Sequence, residues 1–209
     1  MDAETLLELA TDDRAWLRKS RDLRRSADVL WDAFLARTVE WGAHHLDDAP
    51  RADDAWEQAT GHLISAQMLY GLALETAFKA AILRNSPSEI SIETTIDGSG
   101  KVLGARVTQW GVSNGAGHDL LRLAEKAGVF ARGNGEIFGV QSDYEAVRAI
   151  LEQLGEIVVW IGRYPVPLRS GPSRKMSPDV PASIFGHYMR DWTDRLLDHF
   201  QRSGYAAPR

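Results

Sequence analysis

Apolar positions recur with a helical period over most of the chain. Between residues 16 and 41, Trp16, Leu23, Ala27, Leu30, Phe34 and Trp41 fall on one stripe. Arg18, Arg21 and Arg25 lie opposite, interleaved with Asp22, Asp28 and Asp32. Such alternation of sign reads as a solvated helix face. The spacing predicts a helix from Asp12, as N-cap, to about His44. "DDAPRADD", residues 47–54, reads as a connection, and Asp54 followed by Glu57 has the form of a capping box. The helix that follows reaches about Arg84. Its second half, "MLYGLALETAFKAAIL", is apolar or small on nearly every side, which predicts the central helix of a bundle.

After residue 88 the period shortens. "ISIETTIDGSGKVLGARVT", residues 90–108, alternates β-branched and polar positions around Asp97-Gly98-Ser99-Gly100, the pattern of a β-hairpin. "GVSNGAG" leads as a loop to His118, and a short helix runs from there to Lys126, ended by Gly128. Ser142 with Glu145 predicts a capping box for a helix through Trp160, with Tyr144, Val147, Leu151, Leu154 and Val158 inward. Residues 163–181 are rich in proline, glycine and basic side chains and read as an extended crossing or mobile loop. The stretch 182–203 holds a last helix, about Ala182 to Arg202, with Phe185, Tyr188, Met189, Trp192, Leu196 and Phe200 inward.

The expected fold is a single all-α domain over residues 1–209: an up-and-down bundle of about four to five helices with a small β-hairpin insertion. Leu63, Tyr70, Leu74, Phe78, Leu121, Leu151, Val158 and Trp192 should lie in or beside its core.

Composition narrows the chemistry. The chain has 209 residues, 44% hydrophobic and 25% charged, enough for one substantial core. Its net charge of −5 argues against non-specific nucleic-acid binding, which needs a basic field. There is no cysteine, so disulfides and thiolate chemistry are excluded. The strongly apolar run over 68–83 is shorter than the roughly 20 residues of a membrane span and contains two charges. "MDAETLLELATDD" lacks the basic start and apolar run of a signal peptide, so a cytoplasmic location and no membrane partner are expected.

No cofactor or metal is expected. "DGSGKV" superficially matches a phosphate loop, but Thr95 occupies the first glycine position and Val102 follows Lys101, so it reads as a hairpin turn. His44 and His45 are adjacent. His187 with Asp191, and Asp194 with Asp198, are four apart but lack the accompanying motifs of a helical metal site.

Two constellations remain. Glu75 and Lys79 are the only charges between residues 68 and 83, four apart and in the favourable order. They form either an ion pair that sets helix register or part of a site. His118 and Asp119 open a helix, where Asp119 is suited to capping and His118 either packs or faces a ligand.

"GLALETAFKAAIL", then "GHDLLRLAEKAG", then a capped helix ending in "GRYP", together resemble the HEPN superfamily of small helical bundles. The resemblance covers about residues 55–165. It implies a homodimer that binds RNA or a nucleotide, in a prokaryotic toxin–antitoxin or defence setting, with an antitoxin-like protein as a further partner. Catalytic members of that superfamily carry Arg-x4-6-His and cleave RNA without metal. Here Arg163 matches the arginine, whereas Leu168, Arg169 and Ser170 stand where the histidine belongs. Arg37 and His44 meet the spacing outside the matched region. The resemblance therefore implies a degenerate or non-catalytic binding module, with Glu75, Lys79, Asp119 and Tyr164 in the binding surface. Two alternatives stand beside it. One is an active endoribonuclease using His118 and Arg163; the other is a purely structural dimeric protein.

Overall fold

A computed structural model describes residues 2–112, 117–131, 137–161 and 186–203. Within them the chain is mostly helical, with one small antiparallel sheet. The helices are α1 (Ala3–Thr11), α2 (Asp13–His44), α3 (Ala49–Asn85), α4 (Leu120–Lys126), α5 (Gln141–Glu156) and α6 (His187–Ser203). The strands are β1 (Ile90–Ile96) and β2 (Val102–Trp110). Six α-helices among the described residues exceed the four to five expected. The additional one is α1, capped by Asp2, whose carboxylate accepts from the Thr5 amide.

The long hairpin α2–α3 is the frame. Asp12 starts α2 as the pattern predicts, accepting from the Arg14 amide at 3.0 Å. The second helix starts earlier than expected, because Asp48 caps it and Pro50 fits its first turn without needing a hydrogen bond to its nitrogen. Asp54 and Glu57 are therefore inside α3, and the connection is shorter than residues 47–54. The two helices run antiparallel. Asp13 pairs with Arg84 at one end, Ser20 Oγ donates to the Ala73 carbonyl at 2.8 Å, and Trp41 packs on Trp56 near the turn.

The α2 stripe is incomplete as read from the sequence. Trp31 is fully buried, packing against Phe34 and Tyr70. Asp28, expected on a solvated face, instead accepts from the Tyr70 hydroxyl at 2.7 Å and pairs with Arg190 of α6. Arg18 and Arg25 do remain exposed.

The second half of α3 is central, as its composition predicts: Tyr70, Leu74 and Phe78 are fully buried, with α4, α5 and α6 packed around them. Leu151, Val158 and Trp192 share this core, and Leu63 and Leu121 pack at its margin. Gly71 permits the closest approach. A Cβ there would lie 2.4 Å from Val158 Cγ2, so any larger residue would drive α3 away from the turn after α5.

That turn, Ile157–Ile161, is π-helical rather than a plain continuation of α5. The start of α5 also differs from expectation. Asp143, not Ser142 or Glu145, reaches back to the Gly139 and Val140 amides. Gly128 takes φ +84° after α4, the left-handed conformation that ends a helix.

The hairpin forms with the expected turn: Asp97 accepts from the Ser99 and Lys101 amides at 2.8 and 3.0 Å. Trp110, at the end of β2 and beyond residues 90–108, joins the core. In α6, Met189, Trp192, Leu196 and Phe200 are buried as expected, whereas Tyr188 is exposed. The loop expected over 163–181, the first residues of the last helix and Phe185 lie outside the described residues.

Candidate functional site

The two constellations singled out in the sequence are one cluster. Glu75 and Lys79 occupy adjacent turns of α3, and both side chains are about 6% exposed. Lys79 Nζ donates to Glu75 Oε1 at 2.7 Å. His118, on the segment entering α4, places Nδ1 at 3.0 Å from Glu75 Oε1 and 3.1 Å from Oε2. The same carboxylate thus accepts from both partners.

Local sequence explains the placement. Asp119 caps α4 by accepting from the Arg122 amide at 3.1 Å, which fixes where the helix begins. Leu120 and Leu123 are fully buried against the core and anchor α4 there. With α4 held at both points, His118 is set at the rim directly above Glu75. Asp119 itself faces Arg122, at 3.4 Å, and not the Glu75 carboxylate.

A buried ammonium needs more than one carboxylate. Lys79 Nζ lies 5.0 Å from the centroid of the Trp110 ring and 5.8 Å from that of Trp16. The two indoles meet edge to face at 4.8 Å. Their electron-rich faces supply an attraction that survives the loss of water. Trp16 is in turn held by its Nε1–H donating to the Ala10 carbonyl at 3.2 Å. Neither tryptophan was singled out for this role from sequence. Trp16 was visible only as a stripe residue, and Trp110 lies beyond the residues read as the hairpin.

Burial alone pushes the Glu75 carboxyl up. The His118 hydrogen bond and the Lys79 charge outweigh it, so Glu75 sits below the usual carboxylate range and is ionised at neutral pH. An ionised Glu75 can only accept, so the hydrogen shared with His118 belongs to Nδ1. Nε2, on the far side of the ring, has no hydrogen-bond partner among the described residues, and the His118 side chain is 56% exposed. A buried carboxylate therefore orients a surface imidazole whose outer nitrogen is free to meet a ligand.

Arg163 and Tyr164 lie outside the described residues. The structure joins Glu75, Lys79 and His118, places Asp119 beside them as a cap, and adds Trp16 and Trp110. Arg37 and His44 are not part of this cluster: Arg37 pairs with Glu40 at 2.5 Å on α2. No group of three or more metal-ligating side chains occurs among the described residues, and none of their helices is long and apolar enough to cross a membrane.

A second polar cluster ties α6 to α2. Arg24 contacts Asp194 at 2.7 Å and Asp198 at 2.5 Å, while Arg190 reaches Asp28 and Asp194. Asp194 and Asp198 of α6 thus pair with arginines, whereas Asp191 is exposed. The chain matches no family model, no curated protein and no solved structure.

Proposed function

We propose that this chain is a HEPN-like protein that binds RNA or a nucleotide through the surface around His118. The observation that carries the proposal is the Glu75–His118 hydrogen bond, which commits Nδ1 inward and turns Nε2 toward solvent. An imidazole held this way can donate to, or accept from, a phosphate or ribose group without first losing rotamer freedom. The motifs in Gly117–Leu120 and Glu75–Lys79 supply the family reading, and with it a homodimer, an antitoxin-like partner and a defence setting. Arg163 and Tyr164 enter through the resemblance, as the phosphate-binding arginine and its neighbour.

One feature favours a second reading. A carboxylate hydrogen-bonded to Nδ1 is the arrangement that orients a histidine for proton transfer at Nε2. In an endoribonuclease, His118 would take the proton from the ribose 2′-hydroxyl as that oxygen attacks phosphorus. The 5′-oxygen would then leave, taking a proton from solvent water, and a 2′,3′-cyclic phosphate would remain. Arg163 would stabilise the charge on the phosphorane.

One experiment separates the readings. Labelled single-stranded RNA and free nucleotides are titrated against wild type, His118→Ala and Arg163→Ala, and the RNA is then analysed for cleavage in the presence of chelator. A binding module gives saturable binding that both variants weaken, with RNA intact. A ribonuclease gives cyclic-phosphate ends that both variants abolish. Unchanged RNA and nucleotide affinity in both variants, with no cleavage by wild type, overturns both readings and leaves a structural role.

A further inference from the structure

A groove of about 540 Å³ opens where α1, α2 and the hairpin meet, and His118 is not among the residues that line it. Leu6, Leu9 and Ala10 of α1 form one wall, Trp16 of α2 contributes to the floor, and Ile92 and Val107 of the hairpin form the other wall. That volume falls within the range of small-molecule sites, which are largely apolar with a few placed polar groups. Leu6 and Leu9 keep 39% and 38% of their surface exposed, so the apolar wall is left open rather than closed by the fold.

The polar groups at this groove have a definite sign. Arg18, Lys19, Asp22 and Arg106 border it. Arg18 is paired with Asp12 at 3.1 Å, and Asp22 with Arg25 at 3.7 Å. Lys19, from α2, and Arg106, from β2, form no ion pair among the described residues. The chain as a whole carries a net charge of −5, so two unpaired cations beside its apolar groove set this place apart from the average surface.

We propose that the groove binds a single-chain amphiphile with an anionic head, a medium-chain fatty carboxylate being the simplest. Its alkyl chain lies along Leu6, Leu9, Trp16, Ile92 and Val107. Its carboxylate meets Lys19 and Arg106, whose charges attract the head while their stems cover apolar surface. A cationic head at the same place meets two like charges and is rejected. Trp16 links the groove to the buried cluster, because its ring also faces Lys79 and Trp110. This inference stands on the groove alone and does not depend on RNA binding at His118.

The test is calorimetric titration of the full chain with octanoate, decanoate and dodecanoate below their micelle concentrations, beside decanol and decyltrimethylammonium. Affinity should rise roughly fourfold per added methylene until the groove is filled. Decanoate should exceed the ammonium amphiphile by at least tenfold. Lys19→Glu/Arg106→Glu should lose most of that discrimination, and both side chains are exposed, so the fold is not at risk. Ala105 of β2 also lines the groove, so Ala105→Trp should block it and abolish decanoate binding; a circular dichroism spectrum like that of wild type shows that the block, not unfolding, is the cause.

Three results overturn the proposal. One is the absence of saturable decanoate binding, the outcome if the groove instead receives a segment of another polypeptide. Another is equal affinity for the anionic and cationic amphiphiles. The third is decanoate binding unchanged in a folded Ala105→Trp protein.

Discussion

Glu75 meets His118 across 43 positions of sequence, with both carboxylate oxygens within 3.1 Å of the same imidazole nitrogen. The pair joins the buried second half of α3 to the exposed entrance of α4. Lys79, bonded to the same carboxylate at 2.7 Å, makes the arrangement a buried charge pair with one surface outlet.

Removing one member of that pair should be costly. Glu75→Gln leaves Lys79 buried without its counter-charge, and the loss is expected at roughly 3–5 kcal/mol, moderated by the two indole faces. Urea unfolding followed by circular dichroism measures it. The double replacement Glu75→Gln/Lys79→Met removes both charges and should recover much of the loss. If Glu75→Gln alone is neutral, the pair does not hold the helices as described.

The same carboxylate sets a pH dependence. Its folded value is depressed, because the His118 hydrogen bond and the Lys79 charge outweigh burial. Its contribution to stability is therefore present above the ordinary carboxylate range and is lost as pH falls through the folded value. Asp194 acts in the opposite sense: burial raises it despite Arg24 and Arg190, so its contribution is lost as pH rises through its folded value. Unfolding free energies measured from about pH 7 down to pH 3 should fall more steeply for wild type than for Glu75→Gln. Parallel curves would contradict the depressed Glu75.

Gly71 tests the packing beneath the site. Gly71→Ala places a methyl where Val158 Cγ2 already stands, at 2.4 Å from the ideal Cβ position. Overpacking of this kind is expected to destabilise by about 1–3 kcal/mol. In a Val158→Ala background the glycine replacement should cost much less, and a double-mutant cycle reads the difference. An additive pair would mean that α3 and the turn after α5 can separate freely.

Much of this was legible in the chain. The frame helices, the central position of α3, the hairpin turn at Asp97 and the cap at Asp119 follow from local period and local polar chemistry. Glu75 and Lys79 stood out because a charge pair inside an apolar helix has to be paid for by something nearby. Their connection to His118 was not legible, since hydrogen bonds between distant segments leave no local periodicity. Trp31 was hidden for a related reason: it sits between two stripe positions, and α6 is what buries that edge of α2. Asp28 reads as solvated from local pattern for the same cause, because its partners Tyr70 and Arg190 come from other helices. The caps of α3 and α5 show a different limit, where several acidic residues compete and tertiary packing selects one.

The central claim is that Glu75 presents His118 to an RNA or nucleotide ligand through Nε2. Long-range proton–nitrogen NMR correlation of the His118 ring, followed during titration with a short single-stranded RNA, tests it most directly. The account predicts a ring protonated at Nδ1 in the free protein and an Nε2 resonance that moves saturably with RNA. A neutral ring protonated at Nε2 instead of Nδ1, or an Nε2 resonance unmoved at saturating RNA, would contradict it.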